Sequence, residues 1–182
     1  MVASCADSHL LFQDMATHLK GLSDFSHIKI PSAKDFRFGI VVSQWNSEIT
    51  GALYDGAYSA LVQNGALTEN IIEIFVPGSF ELTSGADILL AAKKLDAVIC
   101  LGCVIQGETR HFDFICTAVA NGVTNVSVKH NKPVIFGVLT TDNLQQAKDR
   151  AGGKYSNKGE EAAVTAIMMA QIKSSLDNSI NL

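Results

Sequence analysis

Ala97-Val-Ile-Cys-Leu-Gly-Cys-Val-Ile105 is apolar from end to end. A strand with one face in water alternates apolar and polar residues. An unbroken apolar run of this length reads instead as a strand covered on both faces, as in a parallel sheet flanked by helices. Cys100 and Cys103 within it match the C-x-x-C spacing of redox pairs and metal sites. An odd spacing of three on a strand turns the two side chains to opposite faces. They could not easily bridge, so both read as buried thiols.

Working outward, Phe38-Gly-Ile-Val-Val-Ser43 reads as a second buried strand. Ser47 then reads as the cap of a helix to about Asn64, with Ile49, Leu53, Ala57, Ala60 and Leu61 on one face and Gly65 as its stop. Ile71-Ile-Glu-Ile-Phe-Val76 is a third strand, turned by Pro77-Gly78, and a helix is expected from about Phe80 to Lys94. Gly107 breaks the central strand, and a helix starts near His111 and passes Ala120. Pro133 to Leu139 is the last strong strand. Asp142 is expected to cap a short helix to about Ala151, Gly152-Gly153 interrupts, and a long helix covers roughly Lys158 to Leu176. Strands alternating with helices through short loops predict an α/β fold in three layers, α/β/α, around a mostly parallel four-stranded sheet.

Residues 1–35 lack this regularity and read as an N-terminal extension to a domain spanning 36–182. Residues 9–20 could form a short amphipathic helix, and Ile28 to Pro31 could add an edge strand ended by its proline. His9, His18 and His27 have no metal-ligand spacing and read as solvated surface.

With 47% hydrophobic and 18% charged residues, the chain has enough apolar material for a full core. Its net charge of -4 offers no broad basic field for nucleic acid or anionic lipid. No apolar run approaches the roughly 20 residues of a membrane helix. The N-terminus lacks the basic start and apolar run of a secretory signal. Four free cysteines then point to a reduced, cytoplasmic setting.

In such sheets ligands bind beyond the carboxyl ends of the strands, so those positions hold the candidate site. After the first strand stands Trp45, whose ring either stacks on a planar heterocycle or plugs the sheet end. After the second, Pro77-Gly-Ser-Phe-Glu81 opens a helix with free amides. Glu81 either complements the dipole or accepts from substrate hydroxyls. After the third comes Gly107-Glu-Thr-Arg-His-Phe-Asp113. Glycine and helix-start amides can cradle phosphate, and Thr109 adds a hydroxyl. His111 lies in the first turn, where the dipole favours the neutral imidazole a general base needs. Arg150, Lys154 and Lys158 cluster around glycines and read as a solvated face or a phosphate clamp. These residues support a phosphate-ester enzyme with a histidine base.

Together the strand ends resemble the lumazine synthase family. Pro77-Gly-Ser-Phe-Glu81 is similar to its PGAFE-type turn and Gly107–Asp113 to its GxTxHFD-type segment. Pro133-Val-Ile-Phe-Gly-Val-Leu-Thr140, Asp149-Arg-Ala-Gly152 and Gly152-Gly-Lys-Tyr-Ser-Asn-Lys-Gly159 follow in order and spacing. The resemblance covers about Phe36 to Leu176. Trp45 stands where many members carry phenylalanine and Ser79 where many carry alanine. The resemblance implies a flavodoxin-like sheet and the condensation of 5-amino-6-(D-ribitylamino)uracil with 3,4-dihydroxy-2-butanone 4-phosphate, in riboflavin biosynthesis. It implies no metal and no organic cofactor. It assigns Trp45 and Asn46 to the pyrimidine, and Ser79, Phe80 and Glu81 to the ribityl chain. Val104 and Ile105 would meet the heterocycle through their backbone. Glu108, Thr109 and Arg150 would bind phosphate, His111 would move protons, and Phe136 and Lys158 would complete the site. It also implies a homopentamer, in some members an icosahedral shell of pentamers, with riboflavin synthase as a further partner. Phe136, Arg150 and Lys158 would then come from the adjacent subunit. Two rival readings are an FMN-binding electron carrier, which needs a phosphate loop after the first strand, and a non-catalytic shell or flavin-binding scaffold.

Overall fold

All four apolar runs are strands, and they pair in parallel. The structure, a computed structural model, describes residue 25 and residues 28–180. In it β1 (Phe38–Ser43), β2 (Ile71–Val76), β3 (Ala97–Ile105) and β4 (Val134–Thr141) form one sheet in the order β2-β1-β3-β4. The connecting helices are α1 (Ser47–Gln63), α2 (Leu82–Ala92), α3 (His111–His130), α4 (Leu144–Asp149) and α5 (Lys158–Ile180). A small hairpin, β5 (Ala151–Gly153) with β6 (Ser156–Asn157), stands before α5. The expected helix over residues 9–20 and the three N-terminal histidines lie outside the described residues.

The sheet has two buried faces, as its composition requires. Phe38, Ile40 and Val42 pack on one side with Leu53 and Ala57 of α1 and Ala163 and Ile167 of α5. Val41, Val98 and Cys100 pack on the other with Leu82 and Leu89 of α2 and Val119 and Val123 of α3. Cys103 belongs to the first face and Cys100 to the second, the divergence their spacing dictates. Burial pushes the Cys100 thiol up to about 12 and the Cys103 thiol up to about 11. Neither is available as a thiolate nucleophile near neutral pH.

Three local expectations need correction. The α1 cap is Asn46 rather than Ser47. Asn46 lies in the left-handed region at φ 59°, ψ 46°, and caps with its backbone alone. Asparagine tolerates that conformation better than most residues. The α4 cap is Asn143 rather than Asp142: its Oδ1 accepts from the Gln146 N–H at 3.0 Å. Asp142 instead exchanges hydrogen bonds with the Gln146 side chain. Third, Ile28 to Pro31 forms no edge strand. This stretch runs toward the far end of α1, where the Ala33 N–H donates to the Asn64 carbonyl at 2.8 Å and Ile30 packs on the core. Among the described residues β2 and β4 remain the sheet's edges.

The hairpin is clamped to α1 by one side chain. Asn157 Nδ2 donates to the Ala52 carbonyl, and its Oδ1 accepts from the Gly159 N–H, each at 2.8 Å. Gly159 lies so close to α1 that a Cβ there would collide with the Leu53 carbonyl. Gly159→Ala is therefore expected to cost about 3 kcal/mol or more, because backbone rather than a flexible side chain must yield. A denaturant midpoint equal to the parent's would show that α5 can shift off α1 freely.

Candidate functional site

The carboxyl ends of β1, β2 and β3 build one open surface. β1 leaves the sheet early: its pairing with β3 stops at Val42 and Leu101, whereas β3 pairs with β4 on to Ile105. The left-handed Asn46 turns the chain away, and its Nδ2 donates to the Cys103 carbonyl at 3.0 Å. The β1-side backbone of β3 at Val104 and Ile105 is thus left without a strand partner. Unpaired strand groups at a crevice are ready to bond a planar heterocycle edge-on.

Trp45 flanks this edge. Its backbone N–H donates to the Pro77 carbonyl at 3.1 Å, while 67% of the residue is exposed. Leaving that ring in water forgoes on the order of 1–2 kcal/mol of burial, which fits a surface kept open for a flat partner. The ring rests against Gly78, where a Cβ would come within 2.9 Å of it. Glu81 Oε2 accepts from the Gly78 N–H at 3.0 Å, so the carboxylate is held above the turn. Ser79 is buried beside it, and Phe80 is 55% exposed. The loop amides of Gln44 and Trp45 are spent on Val76 and Pro77. Those two amides are closed to a phosphate, and the loop carries no glycine, which argues against an FMN-binding electron carrier.

Past β3, residues 106–111 are exposed, and His111 opens α3. The His111 N–H donates to Thr109 Oγ1 at 3.4 Å, and the N-cap residue Arg110 makes no side-chain cap. The N–H groups of Asp113 and Phe114 turn back to the Arg110 carbonyl, so exposed Glu108, Thr109 and His111 border the positive end of a twenty-residue helix, a setting suited to an anion.

Phe136, Arg150 and Lys158 are brought together elsewhere, along the β4 edge. Arg150 and Lys158 line a cavity of about 300 Å³ with Thr140, Thr141, Tyr155 and Glu161. Its lining includes nothing from the ends of β1, β2 or β3. Phe136 and Lys158 line an adjoining cleft of about 470 Å³. The hairpin sets this geometry: the Lys158 N–H donates to the Arg150 carbonyl at 2.9 Å, which returns the two cations to one place. Lys158 Nζ pairs with Glu161 Oε2 at 2.9 Å. A single chain therefore carries the candidate residues on two separate surfaces.

Sequence reasoning missed Glu161, Asn157 and Tyr155. Glu161 follows Lys158 by one helical turn, a spacing that signals an ion pair. Asn157 and Tyr155 stand inside the 152–159 motif but received no role, because the glycine-rich stretch gave no hint that it folds back as a hairpin. Among the described residues no three His, Cys, Asp or Glu side chains gather so as to hold a metal ion. No described helix is long and apolar enough to cross a membrane.

Residues 35–174 match the model of the 6,7-dimethyl-8-ribityllumazine synthase family. The chain is 60% identical over 155 residues to a protein of that name from Cytophaga hutchinsonii, covering 85% of this chain and 97% of the relative. It is 54% identical over 159 residues to one from Flavobacterium johnsoniae, covering 87% and 84%. A third, from Parabacteroides distasonis, is 52% identical over 155 residues, covering 85% and 97%.

Proposed function

The chain belongs to the 6,7-dimethyl-8-ribityllumazine synthase family, and from that premise we propose how its two partial sites carry out the reaction. The enzyme condenses 5-amino-6-(D-ribitylamino)uracil with 3,4-dihydroxy-2-butanone 4-phosphate, releasing phosphate and water and forming the lumazine, a step of riboflavin biosynthesis. The observation that carries the site assignment is the unpaired β3 edge at Val104 and Ile105 beside the exposed start of α3.

The pyrimidine lies against that edge, stacked by Trp45 and bordered by Asn46. Ser79, Phe80 and Glu81 take the ribityl chain, with the Glu81 carboxylate accepting from its hydroxyls. The ketone's phosphate meets the α3 amides, Glu108 and Thr109 on one side and Arg150 on the other. His111 moves protons as the imine forms and phosphate leaves, and Phe136 and Lys158 close the pocket. Because one chain holds the two groups of residues on separate surfaces, a whole site forms between neighbouring copies. A ring of heterologous contacts gives each copy one half-site on either side. We propose a homopentamer, alone or assembled into an icosahedral shell, working in the cytoplasm with riboflavin synthase as a consumer of its product. Ile88, Phe114 and Val128 support such contacts, being 65%, 69% and 77% exposed on α2 and α3. Residues 1–35 act as an extension to the catalytic domain.

Mixing purified protein with both substrates tests the reaction. The lumazine's fluorescence should grow well above the uncatalysed condensation; growth at the uncatalysed rate would overturn the proposal.

A further inference from the structure

Tyr155, in the turn of the β5–β6 hairpin, carries two cations on one ring. Arg150 Cζ lies 5.5 Å from the ring centroid and Lys154 Nζ 4.9 Å from it. The Tyr155 N–H donates to the Asp149 carbonyl at 2.8 Å, which fixes the backbone beneath the ring. The side chain also hydrogen-bonds Lys154, holding that ammonium above its usual range.

Other cations nearby are held differently. Lys158 pairs with Glu161 at 2.9 Å and Lys148 with Glu48 at 2.7 Å. Arg150 has no carboxylate partner among the described residues; its recorded side-chain contact is the Tyr155 ring. The difference matters for a group that must meet an anion. A carboxylate fixes a guanidinium by neutralising it and occupying its donors. A ring attracts the same cation through its quadrupole and supplies no net charge. The guanidinium then gives up rotamer freedom before the anion arrives and keeps its N–H donors for it.

We propose that Tyr155 is a positioning residue of the phosphate subsite, its ring holding the Arg150 guanidinium in place, still charged, for the substrate's phosphate. The proposal rests on the reading of Arg150 as a phosphate ligand. It adds a residue that neither a charge pattern nor a phosphate motif would mark.

The assembled protein is titrated with inorganic phosphate by phosphorus NMR at fixed ionic strength. Tyr155→Leu should weaken phosphate binding about 3- to 10-fold, the range of a cation–π contact at a partly exposed site. Tyr155→Phe should stay within about twofold of the parent, because the ring remains. In an Arg150→Ala background, Tyr155→Leu should weaken binding by clearly less than it does in the parent. Equal weakening in both backgrounds would mean that Tyr155 acts without Arg150 and would overturn the proposal. So would parent-like binding by Tyr155→Leu while Arg150→Ala binds poorly. If Arg150→Ala itself binds phosphate like the parent, the reading of Arg150 fails first and this inference falls with it.

Discussion

Replacing His111 by alanine is expected to slow the condensation at saturating substrate by about 100- to 10,000-fold, the usual loss when one general acid–base group is removed. The uncatalysed condensation sets a floor to what can be seen. The fold should survive. The His111 side chain is exposed, and its recorded hydrogen bond to Thr109 comes from the backbone N–H, which alanine keeps. Stopped-flow fluorescence of lumazine formation gives the rate, and an unchanged melting curve confirms the fold. A rate constant equal to the parent's would remove His111 from the chemistry and leave the α3 start as an anion site only.

His111 was legible as a candidate because the clues are local. A glycine break, a hydroxyl and a histidine stand just past an apolar run, and such a run in an alternating α/β chain reads as a strand covered on both faces. For the same reason β1 and β3 match their expected bounds. Burial on both faces writes itself into consecutive residues, so the strand's ends are where polarity returns. The divergence of Cys100 and Cys103 was likewise a matter of strand period alone.

What the sequence hid depends on distant partners. Asn46 and Ser47 are both good helix caps, and the choice fell to Asn46 because its amide reaches Cys103, far along the chain. Asp142 and Asn143 posed the same ambiguity one residue apart. The hairpin before α5 was invisible because its anchor, Asn157, bonds α1. Its geometry forces Ser156 to φ 91°, a value that a serine does not advertise. Ile28 to Pro31 has the composition of an edge strand, yet the chain beside it bonds the end of α1 instead. The division of the candidate residues between two surfaces was implied only by resemblance, since nothing in the local pattern of Arg150 or Lys158 says that they lie away from the ends of β1, β2 and β3.

That division is the central claim, and subunit mixing addresses it directly. His111→Ala and Arg150→Ala proteins, each impaired alone, are unfolded together, refolded and assayed, with parent protein carried through the same procedure as control. If each site takes His111 from one copy and Arg150 from the next, random mixing places two intact faces together at roughly one interface in four, by the geometry of a heterologous ring. Activity should rise from the level of the single variants toward a quarter of the refolded parent's. Tagged subunits show that mixed rings have formed. Mixed rings whose activity stays at the level of the single variants would contradict a site shared between copies.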